Sequence, residues 1–376
     1  MVQQRSPSSP SSQLAPVLAP DVNAHNDAKN TSDIKDAANA EAQSEVIVKS
    51  VGSITEWLID TIFAASVIVA PAALLAALYA AQHTASLVAL GALAVSLFAV
   101  VGIYARYIVP WQLHVKRLTA SDLGGFARPQ AQLTHAASRR PIKVVFFSDL
   151  HLGHYKRAGW TQRVVDAVNA ESPDLVLIGG DIIGHTDCAD ITPLLVPLGQ
   201  LRASLGVFAT LGNHDHGLPG RNHSASLARI LPRLGVRLLS NECVQVCDDV
   251  RLVGVEEIWT ECDDLPRAIT GCEAGDHRYG RESRLLVLGH NPDLMLRLET
   301  EYQGLDMRDA FFLFGHTHHG QIYVPFAPGL AIPIRSNYYR GVFHTPHGSL
   351  YVSAGAGESG TPTRLNTWPE IVVFDA

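Results

Sequence analysis

Residues 143–151 read KVVFFSDLH, a β-branched and aromatic run that stops abruptly at Asp149-Leu150-His151. An apolar run this short, closed by polar residues, fits a buried strand that delivers side chains to its C-terminal edge. The same pattern recurs downstream. Leu175 to Ile178 leads into Gly179-Gly180-Asp181, and Val207 to Leu211 into Gly212-Asn213-His214-Asp215. Arg284 to Leu288 leads into Gly289-His290-Asn291-Pro292, and Phe311 to Phe314 into Gly315-His316-Thr317-His318. A helical stretch around 161–170 separates the first two runs. Strands alternating with helices predict an α/β sheet, in which binding sites assemble at the carboxyl ends of the strands. Residues 236–239, 244–246 and 251–255 predict a β-meander, and 350–374 is again strand-rich.

The polar residues that end these runs are carboxylates, imidazoles and an amide. Together they suit divalent Mn, Fe, Zn or Co, with no soft thiolate among them. Asp149-x-His151 and His316-x-His318 have period two, so in extended segments both side chains of each pair face one side. A carboxylate shared between two ions is what a binuclear centre needs, and Asp181 is the natural candidate. With two ions roughly 3.5–4 Å apart, a bridging water loses its proton near neutral pH and attacks phosphorus in line. No G-x-S-x-G elbow and no P-loop competes with this chemistry. A single Asp or His at a strand end is more often a turn former than a ligand; five such strand ends in one chain are a different matter.

The order D-x-H, G-D, G-N-H-D, an isolated G-H and then G-H-x-H resembles the calcineurin-like metallophosphoesterase superfamily, over roughly residue 142 to the C-terminus. The resemblance implies a four-layer αββα sandwich. It implies that Asp149, His151, Asp181 and His318 bind one metal and that Asp181, Asn213, His290 and His316 bind the other. His214 would donate a proton to the leaving oxygen or stabilise charge on it, oriented by Asp215. The closing segments, G-H-T-H-H-G-Q-I, N-Y-Y-R-G-V-F and S-A-G-A-G-E-S-G-T-P-T-R, are similar to the membrane-associated YkuE-type branch. That branch usually has glycine where this chain has His319, a side chain placed to narrow the pocket or to bond substrate. Arg364 offers a planar fork for a phosphate oxygen or for a structural salt bridge. His154 reads as a surface or substrate-contacting histidine, and Glu256 and Glu257 as candidate partners of a ligand imidazole. Members of this branch include hydrolases of UDP-2,3-diacylglucosamine, so the substrate class implied is a phosphate-containing small molecule or lipid.

The N-terminal third is different in kind. Residues 1–52 are rich in Ser, Pro, Ala, Gln, Asn and Asp, a composition that buries too little apolar surface to order itself. Residues 61–81 and 85–105 carry no charge, and each is about the 20 residues that cross a bilayer as a helix. Gln82, His83 and Thr84 make a polar turn, so 53–110 predicts a two-helix transmembrane hairpin, with the lipid bilayer as a partner. Lys49, Arg106, Lys116 and Arg117 flank the pair and the turn has no Lys or Arg, which places both ends in the cytoplasm of an inner membrane protein. Residues 111–141 then read as a juxtamembrane connector and 142–376 as the catalytic domain. The five cysteines show no compact disulfide spacing and predict free thiols. A net charge of −7 is a poor footprint for a nucleic-acid polymer.

Overall fold

In the computed structural model, the described residues are 61–82, 86–127, 141–186, 188–273, 284–323, 332 and 334–376. The expectation of disorder over 1–52 lies outside them, as does most of the polar turn at 82–84. The strands are β1 His114–Arg117, β2 Lys143–Phe147, β3 Leu175–Gly179, β4 Val207–Thr210, β5 Val236–Leu238, β6 Glu242–Cys247, β7 Val250–Gly254, β8 Arg284–Leu288, β9 Phe311–Phe314, β10 Gly341–Thr345, β11 Gly348–Val352 and β12 Glu370–Asp375. They form two six-stranded sheets, ordered β1-β12-β2-β3-β4-β5 and β10-β11-β9-β8-β7-β6. β2 to β5 run parallel, as do β7, β8, β9 and β11, with antiparallel partners added towards the edges.

Alternation along the strands creates the layers. Val144 and Phe146 of β2, Leu175 and Leu177 of β3, and Phe311 and Leu313 of β9 meet in one core between the sheets. Their neighbours Val145, Phe147, Val176 and Ile178 point the other way, into a core with Trp160, Val164 and Val168 of the helix Ala158–Ala170. Phe312 and Phe314 pack with Leu294, Met295 and Leu298 of the helix Leu294–Thr300 on the far side of the second sheet. Period-two side-chain direction thus converts continuous apolar runs into helix, sheet, sheet, helix. The four-layer αββα sandwich is present as expected.

Three local expectations change. The meander is not one unit: β5 pairs in parallel with β4 at the edge of the first sheet, whereas β6 and β7 form an antiparallel pair in the second. The backbone N–H of Leu239 donates to Ala209, so the chain is tied to the first sheet up to that residue and then crosses over. The expected connector is partly sheet as well. β1 pairs in parallel with β12, and Leu118, Leu123 and Phe126 enter the core between the sheets; residues 128–140 lie outside the described residues. Cys243 is disulfide-bonded, correcting the expectation of free thiols, while Cys188, Cys247 and Cys262 are free.

Glu370 clamps the sheets together. Its Oε1 accepts from the Tyr351 hydroxyl at 2.8 Å, the Ser353 hydroxyl at 3.1 Å and the Ala354 N–H at 2.9 Å. Replacing it with alanine strands several buried donors, each costing about 1–3 kcal/mol. Glu370→Ala should therefore lower the thermal unfolding midpoint of the detergent-solubilised chain clearly, by an amount corresponding to about 3 kcal/mol or more.

Two helices, Thr61–Gln82 and Leu87–Trp111, are long and apolar enough to cross a membrane, with mean hydropathies of 2.3 and 2.4. They pack through small residues and leave large apolar ones exposed. Small residues such as Ala70, Ala77, Ala80 and Ala99 are buried, while Ile68, Leu87 and Phe98 are 73%, 85% and 79% exposed. Ser96 Oγ lies 3.3 Å from the Ala70 carbonyl, joining the two helices across a close small-residue contact. The second helix is α-helical to Ile103 and widens into a π-turn over Tyr104–Ile108. Pro110 stands two residues past its end; a proline ring would clash with the carbonyl four residues back in a regular α-helix, and a wider turn avoids that clash. The helices and the sandwich belong to one unit, Ile54–Ala376.

Candidate metal centre

The loops that follow β2, β3, β4, β8 and β9 converge at one end of the sandwich. Asp149, His151, Asp181, His316 and His318 all have positive φ, between 45° and 66°. Left-handed backbone costs an L-residue on the order of 1–3 kcal/mol and persists where surrounding structure enforces it, most often at functional sites. This corrects the extended geometry expected of the two period-two pairs: sharp turns, and not pleated backbone, aim their side chains inward. The approach is close enough to demand glycine at two positions. A Cβ on Gly315 would stand 2.2 Å from Asp149 Oδ2, and one on Gly212 would stand 2.2 Å from Asp181 Oδ1.

Three groups of donor atoms result: Asp149, His151 and His318; His151, Asp181 and His214; and Asp181, His290 and His316. Within each group the atoms lie within 4.8 Å of one another. In the first, His318 Nε2 is 2.9 Å from His151 Nε2 and 3.5 Å from Asp149 Oδ1. In the last, Asn213 Oδ1 is 3.2 Å from His290 Nε2 and 2.8 Å from His316 Nδ1. Asp181 Oδ2 stands between the groups, 3.4 Å from His151 Nε2 and 3.3 Å from His290 Nε2. Donors about 2.1 Å from a common ion, at tetrahedral to octahedral angles, lie roughly 3.0–3.4 Å apart. The residues present therefore fit a pair of divalent ions that share a carboxylate.

Outer contacts fix the donors. His290 Nδ1–H donates to the Gly179 carbonyl at 2.7 Å, which aims Nε2 at the donor cluster. The Asn213 amide nitrogen donates to the Leu218 carbonyl at 2.5 Å, turning its oxygen inward. Asp149 accepts from the Ser148 hydroxyl at 2.5 Å and the His316 N–H at 3.0 Å. Burial pushes His151 down to about 3 and His318 well below the usual imidazole range, so both rings stay neutral. Burial raises Asp149 to about 6. Burial also opposes ionisation of Asp181, but the His290 imidazole, itself raised well above its ordinary value by Asp181, outweighs it and holds that carboxyl well below its ordinary value.

The remaining expected residues are placed as follows. The His214 ring is edge-on to His151 at 4.8 Å, its Nε2 is 3.5 Å from Ser359 Oγ, and burial lowers its pKa. Asp215 does not reach that ring. Its carboxylate accepts from the backbone N–H groups of Ile182, Ile183 and Gly212, and so pins the β3 and β4 loops together. His319 is buried and its Nε2 donates to the Val352 carbonyl at 2.7 Å, away from the opening. Arg364 is fully buried against Glu358, with Nε to Oε1 at 2.9 Å, the salt-bridge alternative. His154 lines the cleft beside His151, together with Tyr155, Lys156 and His185. Glu256 pairs with His216 at 2.7 Å, and Glu257 accepts from the Trp259 N–H at 3.2 Å. Trp259 was not expected at the site. Its indole meets the His316 ring edge-on at 4.8 Å, and a lone Trp in a loop carries no sequence signal for that contact.

The family model described as calcineurin-like phosphoesterase matches residues 142–320. An uncharacterised metallophosphoesterase of Helicobacter pylori is 29% identical over 258 residues, covering 66% of this chain and 64% of that protein. The metallophosphoesterase YkuE of Bacillus subtilis is 30% identical over 275 residues, 72% of this chain and 88% of its own. A transmembrane protein with metallophosphoesterase domain from Danio rerio is 28% identical over 249 residues, of which the chain spans 52% of the fish protein's length. Donor geometry, sheet order and sequence agree, and the chain belongs to the calcineurin-like phosphoesterase family of metal-dependent hydrolases.

Proposed function

We propose that this chain is a two-metal phosphohydrolase held at a membrane by its helical hairpin, cleaving a phosphoester or pyrophosphate bond. Asp149, His151, Asp181 and His318 would hold one divalent ion, and Asp181, Asn213, His290 and His316 the other. The position of Asp181 Oδ2, at 3.4 and 3.3 Å from one imidazole of each group, carries this reading. Such ions, when bound, polarise phosphoryl oxygens and lower the pKa of a water to near neutrality. The chain's own part is to hold the donors in strained turns, exclude bulk water by burial, and present His214 at the opening to give a proton to the leaving oxygen. All-N/O donors are consistent with Mn, Fe, Zn or Co.

The hairpin favours a substrate that shares the bilayer, such as a lipid-linked pyrophosphate of the UDP-2,3-diacylglucosamine kind, because tethering raises effective concentration there. A panel of lipid-linked pyrophosphates, cyclic nucleotides and aryl phosphates, assayed with Mn²⁺ on the solubilised chain, tests this. Turnover of the lipid-linked members supports it; hydrolysis of soluble diesters alone rejects the lipid substrate. Flanking charge favours a cytoplasmic catalytic domain, whereas the disulfide at Cys243 favours an oxidising compartment. Exposed Cys188 and Cys262 decide the side. With a membrane-impermeant maleimide, labelling only after lysis places them in the cytoplasm, and labelling of intact cells places them outside.

A further inference from the structure

The second apolar helix does not end in solvent; it ends against the metal centre. The Ala105 carbonyl accepts from the Arg364 N–H at 2.9 Å, and the Arg106 guanidinium donates to the Pro362 carbonyl at 3.2 Å. One turn on, the Pro110 carbonyl accepts from Lys156 Nζ. The Lys156 ammonium, on a side chain 1% exposed, is held between the faces of Trp111 at 3.8 Å and Trp160 at 3.5 Å. It lies 3.6 Å from Glu358 Oε2, and the other Glu358 oxygen pairs with Arg364 Nε at 2.9 Å. Arg364 Nη2 donates to the carbonyls of Ala354 and Gly357, and its edge packs 3.4 Å from His318 Nδ1; a ring that offers Nε2 to a metal carries its proton on Nδ1, so this approach is a steric stop for the ring and not a hydrogen bond. An unbroken chain of buried charge therefore runs from the helix end to a donor of the first metal group.

Packing alone does not call for such a chain. Burying charges is costly, and well-packed apolar residues fill the same space with equal or better stability. Two indole faces, a carbonyl and a carboxylate compensate for the burial of Lys156. Two of those partners, Trp111 and Pro110, are supplied by the helix. If the helix end shifts, Lys156 loses partners, Glu358 is released, and Arg364 is freed from the side that faces His318.

We propose that Lys156, Glu358 and Arg364 form a positioning relay through which the end of the second apolar helix packs the His318 ring in place, so that the seating of that helix sets metal affinity at the first site. The proposal rests on reading Asp149, His151 and His318 as one metal site. Outer partners of metal ligands typically carry 10–100-fold in affinity. In the full chain in detergent, Lys156→Met and Trp111→Ala should each weaken Mn²⁺ binding at one of two calorimetric sites by about tenfold or more, leaving the other unchanged. Trp111→Phe, which keeps a ring over the ammonium, should restore most of that affinity. At saturating Mn²⁺, kcat should return towards the parent value, because the defect lies in affinity. Both variants binding within twofold of the parent at both sites would overturn the relay, as would an equal loss at both sites. If Lys156→Met fails to fold, the Trp111 pair decides. A parent chain that binds no Mn²⁺ would instead overturn the two-metal reading and the relay with it.

Discussion

Asp181→Asn should lower kcat/KM by about 10³-fold or more, some 4 kcal/mol of transition-state stabilisation, and reduce bound metal from two ions to one or none. Its carboxylate stands 3.3–3.4 Å from an imidazole nitrogen of each donor group, and no other carboxylate is so placed among the described residues. An amide keeps the shape but offers one oxygen and no charge, too little to hold two cations at once. The fold should survive the change, because the backbone that Asp181 organises is also pinned by Asp215 through Ile182, Ile183 and Gly212. Metal content by mass spectrometry, read beside kinetics on the same preparation, checks both halves.

The second large effect is at His214. His214→Gln should lower kcat by about 10²- to 10⁴-fold, the usual range for a positioned proton donor, while leaving metal content at the parent value. His214 belongs to the donor group that contains His151 and Asp181, yet it is less buried than those two and its Nε2 stands 3.5 Å from Ser359 Oγ. That placement suits a group facing the leaving oxygen better than a buried ligand. The diagnostic is leaving-group dependence. An aryl phosphate with a stable phenolate needs little protonation, so the variant should lose much less activity on it than on an alkyl phosphate. Equal losses on both, or loss of a metal ion, would reassign His214 to the ligand set.

Strand and site were legible because one signal specified both. A continuous apolar run ending in Gly and a donor residue encodes a strand buried on two faces and, at its tip, a backbone turn that a side chain could not enter. What escaped was encoded elsewhere. β1 has no apolar run: its four residues are all exposed, and only pairing with β12, more than 250 positions away, makes them a strand. The resemblance implies that Asp215 orients the His214 ring, but its carboxylate is taken up by backbone amides on two loops, a partner set that no motif spells out. Lys156, Glu358 and Arg364 come from distant segments and meet only at the end of a helix read as a membrane span. A buried ion chain of that kind leaves no periodicity to detect. The disulfide at Cys243 shows the same limit, since spacing alone does not report which thiols the fold brings together.

The convergent donors should hold two metal ions that the chemistry requires. The chain, solubilised in detergent, is stripped with a chelator and titrated with Mn²⁺ while bound metal and hydrolysis of an aryl phosphodiester are recorded together. The stripped protein should show no turnover, binding should saturate at two ions per chain, and activity should rise only as the second site fills. Saturation at a single ion, or full hydrolysis by metal-free protein, would contradict the two-metal reading.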